Sequence, residues 1–276
     1  MTPVMSVLIP ASNEERFIGP CLKALLSSEP VARHTVEVIV IANGCIDDTA
    51  EIARRFKSMA EPRGWRLRVL DQGEGGKMAA LNAGDLVAIG RLRVYLDADV
   101  IVSPNLLAEL AKVLSVPDAR YATGTPVIAQ SISLITRLYG RFWQRVPFMQ
   151  TGAPGFGIYA VNAEGRSRWA EFPAIVSDDT FVRLNFAPSE RVQVRATYSW
   201  PLVDGFRNLV RVRRRQDQGV REVKRLYPEL AMHEAKPRAD VLALLRSDPL
   251  GFVVYGLVAA FSRLSWWQKG YWTRGR

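Results

Sequence analysis

Residues Leu92–Asp99, LRVYLDAD, decide how this chain is read. Leu92–Leu96 is a short apolar run rich in strand-forming residues, and it leads directly into Asp97-Ala98-Asp99. In extended backbone, positions i and i+2 point to the same side. Asp97 and Asp99 are therefore expected to turn their carboxylates toward one place. The end of a strand is where open α/β sheets hold their ligands. Two neighbouring carboxylates repel unless a cation lies beside them. Oxygen donors of this kind suit Mg²⁺ or Mn²⁺, which would in turn grip a diphosphate. The plain alternative is an exposed turn after a strand, since a lone DxD often arises by chance. The chain upstream favours a site.

Upstream, Val4–Pro10 is an apolar run stopped by Pro, Ser and Asn, and reads as a buried strand. Arg16–Leu26 carries Phe17, Cys21, Leu22, Leu25 and Leu26 at helical spacing. Val36–Ala42 predicts a second strand, Asp48–Ala60 a helix, Leu67–Leu70 a third strand and Lys77–Ile89 a helix after a glycine-rich loop. Apolar strands alternating with helices describe a parallel sheet covered on both faces, a Rossmann-like nucleotide-binding half over residues 1–102.

Downstream the pattern loosens. Leu106–Leu114 reads as a helix, Ala119–Gly124 as a strand, Ser131–Val146 as amphipathic and Ile158–Val161 as a strand. Ser177–Asn185 is a helix opened by Asp178 and Asp179, where negative charge suits the helix dipole. Residues 103–203 form the expected acceptor and catalytic half, and 204–276 a basic, amphipathic helical extension. Phe206–Leu226 carries Arg207, Arg211, Arg213, Arg214, Arg215, Arg221, Lys224 and Arg225. Pro249 then opens an apolar run broken by Arg263 and closed by Trp266 and Trp267. That run holds roughly 13 residues before Ser262, against about 20 for a spanning helix. An interfacial or packed helix is expected, not a membrane span.

Composition sets outer bounds. The 276 residues are 48% hydrophobic and 23% charged, which excludes disorder as the default. Lys and Arg number 37 against 27 acids, a net charge of +10, and favour anionic partners. Cys21 and Cys45 form no CxxC, and His34 and His233 have no ligand-spaced partner, so a zinc site is not expected. The opening MTPVMSVLIPASNEE lacks a basic n-region, which gives a cytoplasmic expectation, and the basic run with the Trp-ended apolar helix extends it to a peripheral place at the inner face of the cell membrane. GEGGKM is not a Walker loop, because Asp71 stands at its first glycine position and Met78 follows Lys77.

Taken together and in order, VLIPASNEE, VIVIANGCIDDTAEIA, GEGGKMAALNAG, YLDADVIVSPNLL and GFGIYAVNAEG with IVSDDTFV resemble the motifs of family 2 glycosyltransferases of the GT-A fold, over residues 4–186. The resemblance implies an inverting, non-processive enzyme with a mostly parallel twisted sheet flanked by helices. It implies that Pro10, Ala11, Asn13 and Glu14 line a nucleoside pocket with Asn43 and Asp47, and that Lys77 lies near the nucleotide. Asp97 would approach the ribose and metal, Ala98 would lie in the nucleotide-binding set, Asp99 would be the principal metal ligand, and Asp179 the catalytic base. A positioned carboxylate suits that role, because an acceptor hydroxyl must lose its proton as it attacks. One base and one metal give a single in-line displacement, hence inversion.

The chain also departs from the family pattern. Ala42 stands where many members carry an Asp that can hydrogen-bond the nucleotide base. A UDP-sugar is the favoured donor and a GDP-sugar the second choice. In place of the QxxRW of processive synthases stands RNLVRVRRRQDQG, in which Arg211 or Arg214 is a candidate to reach the pyrophosphate. The expected partners are a nucleotide-sugar, a sugar or lipid-linked acceptor and an anionic membrane surface. Nucleic acid is not expected, because aromatic residues are not interleaved with the basic run. The rivals are a nucleotidyltransferase, though PASNEERFIGP lacks the glycines of its first loop, and a basic module binding membrane or nucleic acid without catalysis.

Overall fold

The computed structural model describes residues 5–31, 35–235 and 237–264. Val4, His34 and the Trp266-Trp267 end of the C-terminal run lie outside them. The first half alternates as the sequence predicts: β1 (Met5–Ala11), α1 (Ile18–Leu26), β2 (Val36–Asn43), α2 (Thr49–Arg55), α3 (Lys57–Ala60), β3 (Arg66–Gln72), α4 (Lys77–Val87) and β4 (Leu92–Leu96). β1 pairs in parallel with β2 and β4, and β2 with β3. Met5, Val7 and Ile9 share a core with α1, whereas Leu8, Ile39 and Ile41 pack under α4. Alternate residues of one apolar strand thus fill two different layers, as a doubly covered sheet requires.

The single helix expected over 48–60 is instead two. The Phe56 amide donates to the Ala53 carbonyl at 3.2 Å, an i→i+3 bond that tightens the backbone and ends α2.

The second half comprises β5 (Ile101–Val102), α5 (Leu106–Leu114), β6 (Tyr121–Ile128), α6 (Leu134–Trp143), α7 (Pro147–Thr151), β7 (Ile158–Val161), α8 (Ala163–Arg166), α9 (Asp178–Leu184) and β8 (Arg191–Trp200). The eight strands form one sheet, β3-β2-β1-β4-β7-β6-β8-β5. β7 runs antiparallel to β4 and β6, and β5 antiparallel to β8, while β6 and β8 are parallel. The mostly parallel α/β sheet flanked by helices is the architecture expected. β8 was not anticipated, although Val194, Ala196 and Tyr198 alternate inward along it with a clear period of two.

The C-terminal segment folds as α10 (Phe206–Leu226), α11 (Pro228–Ala231), α12 (Val241–Ser247) and α13 (Pro249–Leu264). It packs back on the second half: Tyr139, Trp143 and Met149 share a core with Leu209, Val210 and Val258. α10 also lies hard against the segment before α9. A Cβ on Gly219 would sit 2.9 Å from the Ser177 Cβ and 3.2 Å from the Val176 Cβ. Among the described residues no helix is long and apolar enough to cross a membrane.

Candidate active site

A cleft of about 1070 Å³ opens at the carboxyl ends of β1, β2 and β4, where this topology places ligands. Pro10, Ala11, Asn13 and Glu14 line it from the end of β1, and Asn43 from the end of β2. Gly76, Lys77 and Met78 come from the start of α4, and Asp97, Ala98 and Asp99 from the end of β4. Two loops are held by unusual backbone. Asn13 has a φ of 52°, a region Asn tolerates, and its Oδ1 accepts the Ile46 amide at 2.7 Å. Gly44 has a φ of 58°, and a Cβ there would meet the Gly75 nitrogen at 2.9 Å. Only glycine lets the β2 and β3 loops approach so closely.

Asp47 does not line the cleft. Its Oδ1 accepts the Thr49 amide at 3.1 Å and the Thr49 hydroxyl at 2.5 Å, and its Oδ2 accepts the Glu15 amide at 3.2 Å. Burial would raise its carboxyl, but the Thr49 and Glu15 donors outweigh burial and hold it below the usual carboxylate range. Asp47 therefore joins the loops that carry the cleft residues.

The acidic centre is tied by one cation. The Lys77 Nζ lies 2.9 Å from Asp97 Oδ1 and 3.0 Å from Asp178 Oδ1. Burial alone would lower the Lys77 ammonium, but the Asp178 and Asp97 carboxylates reverse this and raise it. The Tyr159 hydroxyl donates to Asp178 Oδ2 at 2.9 Å, so both oxygens of this buried carboxylate are engaged. Asp179 is held otherwise, with Oδ1 accepting the Ser177 hydroxyl at 2.6 Å and the Thr180 amide at 2.7 Å. Burial, then the charge of Asp178, pushes the Asp179 carboxyl above its ordinary range, with Ser177 and Lys77 opposing. Asp178 and Asp179 line a smaller recess that shares Pro10, Lys77, Asp97 and Trp200 with the main cleft.

Asp97 and Asp99 reach this cleft, though not as two points on one strand face. β4 ends at Leu96, and the Val100 amide donates to the Asp97 carbonyl at 3.2 Å. The two carboxylates therefore flank a turn. No group of three or more His, Cys, Asp or Glu side chains is gathered for a metal among the described residues. Two hard carboxylates still suit Mg²⁺ or Mn²⁺, which commonly take one or two from protein and the rest from substrate phosphates and water. The ammonium already seated at Asp97 Oδ1 marks the place as one that draws positive charge.

Several lining residues were not anticipated. Tyr159 hides in an apolar strand, and nothing in the sequence pairs it with Asp178. Trp200 ends β8 and stacks on Phe156, with centroids 5.3 Å apart. On α10, Arg213, Arg215 and Gln216 face the cleft. Arg213 is itself engaged by Asp217, 3.1 Å away. Arg211 and Arg214, the sequence candidates for the pyrophosphate, instead line a separate groove toward α13. Helical periodicity separates the two sets once one arginine is placed.

The comparisons with known proteins agree with this architecture. A mannosyltransferase from Pyrobaculum calidifontis, solved with GDP-Man and Mn²⁺, matches with a TM-score of 0.62 at 19% identity, covering 95% of this chain and 74% of that one. Glucosyl-3-phosphoglycerate synthase from Mycobacterium tuberculosis, solved with Mn²⁺ and UDP, matches at 0.56 and 19% identity, over 86% and 82%. Both likenesses concern the fold, which is GT-A. Among curated proteins, the uncharacterized glycosyltransferase EpsJ of Bacillus subtilis is 31% identical over 112 residues, 41% of this chain and 30% of that protein. The dodecaprenyl-phosphate galacturonate synthase of Rhizobium johnstonii is 30% identical over 102 residues, 37% and 29%. The matched stretch spans about a third of the length of such relatives. The model of glycosyl transferase family 2 matches residues 6–165, more than half of the sequence, and the chain belongs to that family.

Proposed function

We propose that the chain transfers a sugar from a nucleotide-sugar to an acceptor hydroxyl with inversion, using a divalent metal. One observation carries the reading: the Lys77 ammonium bridges Asp97, at the donor end of the sheet, and Asp178, beside Asp179, within one cleft. Nothing in a purely structural role requires two carboxylates on a single ammonium with a third, Asp179, beside them.

The residues divide the work. The loop after β1 and Asn43 form the walls for a nucleoside. The amides opening α4 and the Lys77 ammonium favour a diphosphate. Asp97 and Asp99 would hold the Mg²⁺ or Mn²⁺, whose chemistry is Lewis-acid stabilisation of the departing diphosphate. Asp178 is immobilised by Lys77 and Tyr159, whereas Asp179 keeps Oδ2 clear of the hydrogen bonds that fix Oδ1. Asp179 is therefore the group to take the acceptor proton. Its raised carboxyl makes it a stronger base than a solvated aspartate. Phe156 and Trp200 offer a flat apolar wall on the acceptor side.

A UDP-sugar is the favoured donor, with a GDP-sugar as the second choice, and the acceptor is a sugar or lipid-linked hydroxyl at the inner face of the cell membrane. Release of nucleoside diphosphate from a panel of UDP- and GDP-sugars with Mn²⁺ tests the reading, with the anomeric configuration of the product read by NMR. Asp99→Ala should weaken metal-dependent nucleotide binding and abolish transfer, and Asp179→Asn should abolish transfer alone. Pyrophosphate release from a nucleoside triphosphate and a sugar phosphate would identify a nucleotidyltransferase instead.

A further inference from the structure

α13 is not built like an ordinary surface helix. Its inner stripe, Gly251, Val258 and Ser262, is buried where it packs against α6 and α10. The opposite stripe of such a helix is normally polar. Here it is Leu250, Val253, Leu257, Phe261 and Leu264, which are 67%, 54%, 46%, 49% and 74% exposed. At 1.5 Å per residue this apolar strip is about 21 Å long. The helix contains no acid, and its one charge is Arg263. Val241 and Leu242 of the adjoining α12 are also exposed.

Positive charge stands beside the strip. Arg207, Arg211 and Arg214, spaced i, i+4, i+7 along one side of α10, line a groove of about 450 Å³ with Phe206, Val210 and Phe261. None of the three arginines has a carboxylate within ion-pair distance among the described residues. Nearby acids are engaged elsewhere: Asp217 by Arg213 at 3.1 Å, Asp248 by Arg141 at 2.6 Å, and Asp204 by the Ser131 hydroxyl. An apolar ridge flanked by unneutralised arginines calls for a partner that is apolar inside and anionic at its rim. A second copy meeting this face about a two-fold axis would set arginine against arginine.

We infer that the α10–α13 face docks on an anionic lipid bilayer, with the strip of α13 at the acyl boundary and Arg207, Arg211 and Arg214 at the headgroup phosphates. The other side of α10 lines the cleft through Arg213, Arg215 and Gln216. The cleft then stands about one helix diameter, ~10 Å, above the headgroups. That consequence for a membrane-borne acceptor rests on the glycosyl-transfer reading. The docking itself does not.

The test is co-sedimentation of the full chain with phosphatidylcholine vesicles, with and without phosphatidylglycerol. Wild type should bind only the anionic vesicles, and less so as salt rises. Together Arg207→Gln, Arg211→Gln and Arg214→Gln should weaken binding about 100-fold, and the three Arg→Lys changes should largely restore it. Val253→Asp with Leu257→Asp should abolish binding without lowering the melting temperature. None of these variants should alter acceptor-free hydrolysis of the nucleotide-sugar, so loss of docking is read apart from loss of catalysis. Equal binding by wild type and both variant sets, or equal binding to neutral and anionic vesicles, overturns the inference. So does a solution dimer that Leu257→Asp splits, which would make the strip a contact between copies.

Discussion

Replacing Lys77 with Met keeps an unbranched stem of similar length and removes the charge that separates Asp97 from Asp178. The loss can be bracketed from the geometry. Asp178 is 5% exposed, whereas Lys77 and Asp97 each retain 36%. Stripping one partner from a fully buried ion pair costs about 3–5 kcal/mol, and an exposed pair is worth less than about 1 kcal/mol. A site open on one side belongs between them, so Lys77→Met should destabilise the metal-free protein by about 2–3 kcal/mol. For a chain of this length that is a fall of about 4–6 °C in Tm, measurable by circular dichroism. Much of this cost is repulsion between carboxylates left behind. Adding Asp178→Asn to Lys77→Met should therefore recover about 1–2 kcal/mol relative to the sum of the single changes. Additive losses, or a Lys77→Met protein melting within about 1 °C of wild type, would refute the idea that this ammonium holds the acidic centre together.

Asp179→Asn should lower transfer by about 10²–10⁴, the usual span for a general base. A base at Asp179, as proposed, acts ionised, and burial with Asp178 raises it, so the wild-type rate should fall with decreasing pH through a midpoint above the ordinary carboxylate range. A raised acid costs stability once ionised, and an Asn Oδ1 can still accept from Ser177 and Thr180, so Asp179→Asn should not lower Tm at neutral pH. At Gly155, φ is +74° and a Cβ would lie 1.9 Å from the Tyr121 hydroxyl, so Gly155→Ala should cost about 2 kcal/mol or more in urea unfolding. Burial, then Asp97, pushes the fully buried Cys21 thiol up to about 12, so a thiol reagent at pH 8 should modify Cys45 and spare Cys21 until the protein unfolds.

The nucleotide-binding half was legible because its strands are buried on both faces. Val36–Asn43 and Leu92–Leu96 stand out as apolar blocks whose ends need little refinement. β8 escapes the pattern because the residues of its other face, half-buried Arg191 and Gln193 and exposed Arg195, are polar and dilute an alternation that averaging along the chain conceals. Ordered motifs led to Asp97, Asp99 and Asp179, but the turn that aims the first two depends on backbone that side-chain periodicity does not encode. The bond from Tyr159 to Asp178 joins β7 to α9 through the tertiary fold alone, and no local rule could supply it.

The missing side chain of Gly219 has a mechanical meaning. Because α10 rests directly on Val176 and Ser177, and the Val176 amide donates to Glu222 of the same helix at 2.9 Å, the helix and the turn that aims Asp179 form one clamp. Whatever steadies α10 from outside also steadies Asp179, the proposed proton acceptor, and a methyl group at position 219 would loosen both without touching a substrate.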